Sequence, residues 1–337
     1  MIKVPGTKLV KDATPRPLSE EPGQYGHIML FSGSASKVLT AGIAKYLELE
    51  PGHAERLVFP NENIFIQLKE SVRGQDVFLI QTMSHPLHDN FMEMLIMIDA
   101  LKRDSAGRIN VVIPYMSYTR SDKKDQPRVP ITARLVANMI ETAGADRYIT
   151  VDLHTGQIQG FFNIPGDNLT AFHLLSDHVL ELKIPDLTVV SADLGFAKKA
   201  RNFAEKLGAP LAIVEKRRLF NTGQSEALTV IGDVQGRNVL IVDDEVLTGG
   251  TIADVIESLR EKGAHDVYLA FSHALLAPQA VERFKMLDIK QIITTDTVSL
   301  PPERILPNMK ILSVAPMLGE VILRTHQGRS VGELFNE

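Results

Sequence analysis

Between residues 242 and 251 the chain sets two adjacent carboxylates shortly before a pair of glycines flanked by threonines: Val242-Asp243-Asp244-Glu245-Val246-Leu247-Thr248-Gly249-Gly250-Thr251. A turn with adjacent glycines can bring successive backbone N–H groups round a phosphate, and a helix starting there adds the positive end of its dipole. The hydroxyls of Thr248 and Thr251 supplement those donors. Two carboxylates beside such a cradle would repel the phosphate itself, so Asp243 and Asp244 suit neutral sugar hydroxyls or a Mg2+ ion. An isolated Gly-Gly turn is better explained as an ordinary capped helix. The acidic pair, both threonines and the glycines together favour a phosphate next to a hydroxylated sugar. No Walker A run occurs, so this is not a P-loop nucleotide fold.

Three other clusters carry unusual polar content. Asp152-Leu153-His154 puts a histidine near an acid, which suits metal or phosphate contact, although a lone histidine is more often structural. Glu215-Lys216-Arg217-Arg218 leads into a polar stretch ending at Ser225 and reads equally as a mobile functional loop or a solvated charged one. Tyr118-Thr119-Arg120-Ser121-Asp122-Lys123-Lys124-Asp125 taken alone is a charge run of the kind that usually faces water. The Met94–Met97 cluster sits at helical spacing and reads as core.

Each of these clusters follows an apolar, β-rich run. Strands are predicted at 27–31, 77–81, 110–114, 147–151, 187–191, 211–214, 238–242, 266–271 and 291–295. Helices are predicted at 35–46, 89–103, 131–142, 171–182, 197–207, 251–262 and 278–286. In the 251–262 helix, Ile252, Val255, Ile256 and Leu259 share one face and Gly263 stands at the C-cap. Such alternation implies an α/β protein with mainly parallel sheets flanked by helices, and ligands then bind beyond the carboxyl ends of the strands. At 337 residues the series is too long for one ordinary sheet, so two α/β domains are expected to meet near residue 170. Residues 1–26 read as a loose lead-in.

Bulk properties narrow the function further. A net charge of −5 gives no basic footprint for nucleic acid. With no cysteine there is no disulfide, thiol nucleophile or thiolate metal site. Residues 1–26 lack the apolar run of a signal peptide, and no stretch approaches the roughly 18 apolar residues of a spanning helix. The expectation is a soluble cytoplasmic protein with no membrane partner.

The 242–251 run resembles the phosphoribosyl pyrophosphate signature of type I phosphoribosyltransferase folds, and the chain from about Phe31 to Phe335 resembles ribose-phosphate pyrophosphokinases. The matching stretches run from Met94 to Arg103, Arg120 to Asp125, Pro130 to Ala133, Asp152 to His154, Gln157 to Phe162 and Lys216 to Arg218. The resemblance implies two type I phosphoribosyltransferase-like domains, at 27–170 and 171–319, with a helix at about 320–337 packing back on the first. It implies transfer of the β,γ-diphosphate of ATP to ribose 5-phosphate, and a dimer-based homo-oligomer, often a hexamer. Lys216 and Arg218 match the cations that stabilise the transition state. Phe59, Asn61, Asn63, Arg120, Ser121 and His154 match ATP contacts, while His154 and Asp193 match the Mg2+ ligands. Asp243, Asp244, Leu247, Thr248, Gly249, Gly250 and Thr251 match the ribose 5-phosphate loop, and Ser71 and Arg73 match part of an allosteric phosphate/ADP site.

Three positions depart from the family pattern. Ser121 replaces a common Gln, Asn63 a usual Glu, and Leu247 an acid carried by many relatives. These bear on adenine selection and ribose contacts more than on catalysis. Asn63 and Ser121 leave a catalytically weak or inactive synthetase-like regulatory subunit as the alternative to an active enzyme, against which the retained Lys216, Arg218, His154 and Asp193 argue; a phosphoribosyltransferase would instead carry one such domain and a base-binding hood.

Overall fold

The computed structural model describes residues 24–217 and 227–334. The chain divides into two compact units, one up to Leu169 together with Ser313 onward, the other Thr170–Leu312. Of the lead-in expected at 1–26, only 24–26 fall among the described residues.

The first unit contains β1 (Ile28–Ser32), α1 (Lys37–Leu47), β2 (Ala54–Val58), β3 (Ile64–Leu68), β4 (Asp76–Ile80), α2 (Leu87–Arg103), β5 (Arg108–Ile113), α3 (Thr132–Ala143), β6 (Arg147–Val151) and β7 (Gly166–Leu169). Five strands form a parallel sheet in the order β1-β4-β5-β6-β7, and β2 and β3 pair separately as an antiparallel hairpin. Strand β4 is buried along its whole length, as a parallel strand covered on both faces must be. Met94, Met97, Ile98 and Leu101 recur at helical spacing along α2 and close the core over Val77, Leu79 and Val111.

The second unit contains α4 (Phe172–Leu182), β8 (Leu187–Ser191), α5 (Ala197–Leu207), β9 (Leu211–Arg217), β10 (Ala227–Ile231), β11 (Asn238–Val246), α6 (Gly250–Glu261), β12 (Val267–Ala274), α7 (Pro278–Met286), β13 (Ile289–Thr295) and β14 (Met309–Leu312). Its sheet runs β10-β9-β8-β11-β12-β13-β14, parallel throughout except for the edge strand β10. The chain leaves β8 toward β9 on one side and returns to β11 on the other. The order therefore reverses between β8 and β11, the place where open α/β sheets bind ligands.

The chain then re-enters the first unit as α8 (Ala315–His326), starting ahead of the 320 expected. Helices α8 and α1 lie so close that a Cβ at Gly319 would overlap the Tyr46 ring, and Tyr46 Oη donates to Glu320 Oε2 at 2.9 Å. At the far end of α8, His326 Nδ1 is hydrogen-bonded to Asp76 Oδ2 at 2.9 Å. Arg108 holds the same carboxylate through Nε at 2.8 Å and Nη2 at 2.6 Å, and Nη2 also donates to the Thr325 carbonyl at 3.2 Å.

Two strands outrun their expected ends. Strand β9 continues past Val214 to Arg217 because β10 pairs with it, with Lys216 opposite Leu228. Strand β11 continues past Val242 to Val246, with Asp243 and Glu245 paired in register with Phe271 and His273 of β12. Strands β2, β3, β7, β10 and β14 were not predicted at all. Among the described residues, no helix is long and apolar enough to cross a membrane.

Candidate active site

In the second unit the expected sugar-phosphate residues gather at the switch point. Asp243 and Asp244 lie inside the last turn-ward pairs of β11 rather than in the following loop, opposite Phe271 and its neighbours on β12. Asp244 is buried and Asp243 partly so. Two local bonds fix the pair: the Asp244 amide donates to Asp243 Oδ1 at 2.8 Å, and the Glu245 amide to Asp244 Oδ1 at 2.9 Å. Burial pushes the Asp243 carboxyl well above the ordinary carboxylate range, and the nearby charges of Asp244 and Asp193 push it the same way. A cluster of this kind is stabilised by whatever brings positive charge or hydroxyl donors to it.

Asp193 comes from the loop after β8, on the other flank of the switch point. Its Oδ1 accepts the Phe196 amide at 2.8 Å, which fixes the carboxylate ahead of α5. The oxygen donors of Asp193, Asp243 and Asp244 suit a hard cation such as Mg2+. Among the described residues, no three His, Asp or Glu side chains form a complete metal cage, and Mg2+ characteristically takes only one or two carboxylates and fills the rest with water or phosphate.

The loop between β11 and α6 leads into a helix N-terminus, a place where backbone N–H groups can meet an anion. Gly249 caps α6 with φ +67, a left-handed conformation that a side chain strains, and a Cβ there would lie 2.9 Å from the Phe284 ring. No side chain caps the helix. The amides of Thr248, Gly249, Gly250, Thr251 and Ile252 have no partner among the described residues. These are the donors that a helix N-terminus offers to a phosphate. Leu247 stands half-exposed at the loop's start, and Thr248 and Thr251 are exposed.

Within the first unit, two of the expected groups are tied together. The Thr155 hydroxyl, next to exposed His154, donates to Asp122 Oδ2 at 2.8 Å, which anchors the Arg120–Asp125 run beside the end of β6. Ser121 turns that run into α3, its Oγ accepting the Thr132 amide at 3.3 Å and its carbonyl the Ala133 amide at 3.2 Å. Arg120 is exposed. Phe59, Asn61 and Asn63 sit on the tip of the β2–β3 hairpin, closed by the Phe59 amide on the Asn63 carbonyl at 2.9 Å. The Phe59 ring is exposed and its centroid lies 6.1 Å from that of Phe65. Ser71 and Arg73 are also exposed, and they lie just before β4.

Of the two cations expected on a loop, the one among the described residues is placed differently. Lys216 belongs to β9, paired in register with β10, so the strand rather than a loop fixes its backbone. Arg218 lies outside the described residues. Sequence reasoning missed α7's Arg283, whose Nη1 donates to the Thr248 carbonyl at 2.7 Å. Nothing in its local sequence marks it, because the fold alone brings it to the loop.

Known proteins share this arrangement of elements and motifs. Residues 28–144 match the model of the N-terminal domain of ribose phosphate pyrophosphokinase, and residues 218–336 that of a phosphoribosyl synthetase-associated domain. The chain is 45% identical over 309 residues to a ribose-phosphate pyrophosphokinase of Caldanaerobacter subterraneus, covering 91% of this chain and 98% of that one. It is 45% identical over 306 residues to the Campylobacter jejuni ribose-phosphate pyrophosphokinase, covering 91% and 98%. A crystal structure of phosphoribosylpyrophosphate synthetase from Mycobacterium smegmatis superposes with a TM-score of 0.85 at 41% identity, over 90% of this chain and 99% of that one. With nearly the whole length of its relatives spanned at this identity, the chain belongs to the ribose-phosphate pyrophosphokinase family.

Proposed function

We infer that this protein is a ribose-phosphate diphosphokinase, which moves the β,γ-diphosphate of ATP onto the 1-hydroxyl of ribose 5-phosphate and releases AMP. The observation that carries this reading is the switch point of the second sheet, where clustered carboxylates adjoin five amides of the loop and the first turn of α6 that have no partner among the described residues. That pairing suits a sugar that is hydroxylated at one end and phosphorylated at the other.

In this reading Asp243 and Asp244 accept hydrogen bonds from the ribose hydroxyls. The amides of residues 248–251 and the Thr248 and Thr251 hydroxyls take the 5-phosphate, with Leu247 at the edge of the sugar. The 1-hydroxyl oxygen attacks the β-phosphorus as its proton leaves, and the bond to the α,β-bridging oxygen breaks toward AMP. Negative charge grows on the non-bridging and departing oxygens, and Lys216 and Arg218 are the cations assigned to it. Arg120 and His154 bind the ATP phosphates, while Phe59, Asn61, Asn63 and Ser121 face the adenosine. A divalent ion fits the oxygen-rich donors, and we assign His154 and Asp193 to Mg2+, which neutralises phosphate charge when bound. We further propose a dimer-based homo-oligomer, allosteric control through Ser71 and Arg73, and residence in the cytoplasm, where ATP and pentose phosphates meet. No observation favours the non-catalytic regulatory alternative.

Incubation of the pure protein with ATP, ribose 5-phosphate and Mg2+ should release AMP in a ribose-dependent manner. Release of ADP, or AMP formation indifferent to the sugar, would rule the reading out.

A further inference from the structure

The loop that presents the free amides is shaped from one side by the segment entering α7. The amides of Leu275 and Leu276 donate to the Val246 carbonyl at 3.1 and 3.0 Å, and the Ala277 amide to the Leu247 carbonyl at 2.8 Å. Arg283, further along α7, takes the next carbonyl in the series, that of Thr248. Its Nη1 also stands 3.4 Å from the place a Cβ on Gly250 would occupy, which puts the guanidinium against the first residue of α6. Phe284 packs beneath Gly249 on the same helix. Three successive carbonyls are therefore held by one segment.

The peptide bond makes this consequential. In a trans peptide the C=O of one residue and the N–H of the next point in opposite directions. Pinning the carbonyls of Val246, Leu247 and Thr248 therefore aims the N–H groups of Leu247, Thr248 and Gly249 the other way, with no partner for the last two among the described residues. The first two carbonyls are held by backbone, whereas the third depends on a single side chain. Arg283 is exposed, and among the described residues no carboxylate pairs with it, so its charge and its other N–H donors are not spent elsewhere.

We propose that Arg283 is a positioning residue for the sugar phosphate: it fixes the Thr248–Gly249 peptide so that the Gly249 amide faces the anion. This rests on reading residues 248–251 as the 5-phosphate loop. Arg283 acts through the Thr248 carbonyl it holds, so its effect falls on sugar-phosphate affinity and not on the chemical step.

The test is steady-state kinetics on the full-length protein with Arg283→Met, Lys285→Met and Thr251→Val. Arg283→Met should raise the KM for ribose 5-phosphate about tenfold or more, equivalent to about 1.4 kcal/mol, and leave kcat and the KM for ATP nearly unchanged. Lys285 lies on the same helix, where it pairs with Glu282 at 2.8 Å, and its replacement should leave the KM unmoved. Thr251→Val, at the second position of α6 within the assigned 248–251 phosphate run, should raise the KM. If Thr251→Val raises it and Arg283→Met does not, the role of Arg283 falls and the loop assignment stands. If neither moves it, the loop assignment falls and takes Arg283 with it. An equal rise in Lys285→Met, or a loss confined to kcat in Arg283→Met, would also overturn the proposal.

Discussion

At Gly249 two separate constraints meet at one residue. The backbone has φ +67, and the Phe284 ring fills the place of a side chain. Left-handed backbone costs a non-glycine residue about 1–2 kcal/mol, and the Phe284 contact adds to that. Gly249→Ala should therefore weaken ribose 5-phosphate binding, seen as a raised KM, and also lower the melting temperature, because Gly249 is buried against the core ring of Phe284. A KM equal to that of the parent protein would show that the loop conformation does not matter to the sugar. Lys216 belongs to the opposite category. Its assigned task is to meet charge that exists only in the transition state, so Lys216→Ala should lower kcat by roughly a hundredfold or more with ribose 5-phosphate affinity retained. Loss of that affinity with turnover intact would contradict the role. Much of this site was legible in the sequence, because an acidic pair, two threonines and adjacent glycines after an apolar strand carry their chemistry in their types and order. Arg283 was not legible, since its partner Thr248 is far away in the chain and only the packing of α7 brings them together.

Strands and helices with strong apolar runs were predicted to within a few residues, and those missed share a physical cause. Strand β7 reads Gly-Asp-Asn-Leu, with no β-branched residue and one buried position, and it exists because β6 offers it an edge. Hairpin strands β2 and β3 are only half-buried, so their alternation is blurred by exposed Leu57 and Phe65. In both cases the neighbouring backbone, more than intrinsic preference, makes the strand. The same dependence on distant partners appears where α8 meets the start of β4. Burial pushes the Asp76 carboxyl up, but hydrogen bonds from His326, Arg108 and Asn110 outweigh it and hold the group below its ordinary value. A carboxyl lowered in the folded state stabilises the fold above its unfolded value, about 3.9, and that contribution disappears as pH falls through the folded value. Unfolding free energy should therefore decline on acidification below about pH 4. Asp76→Asn should cost about 3 kcal/mol near neutrality by leaving Arg108 without its carboxylate, and should flatten the acid limb. Parallel pH profiles for the two proteins in chemical denaturation would show that the clasp contributes nothing.

For the whole molecule, the order of the chain matters as much as the content of each unit. The first unit is left at Leu169 and completed only after the second has been built, when α8 arrives from Ser313 onward. Leu318, Val321 and Ile322 of α8 are fully buried, and each contributes on the order of 1.5–3 kcal/mol. Together with the Asp76 clasp this is comparable to the roughly 5–15 kcal/mol by which a folded domain is stable. A chain ending at Leu312 should thus leave the first unit unable to fold, since α1 loses its partner helix and Asp76 loses His326. The second unit contains all seven strands of its own sheet and a separate core, and it should persist. Hydrogen exchange followed by peptide mapping distinguishes the outcomes. Protection should vanish from β4 and β5 and remain in β11 and β12. If β4 and β5 stay protected in the shortened chain, α8 is a decoration on the first unit and not the element that closes it.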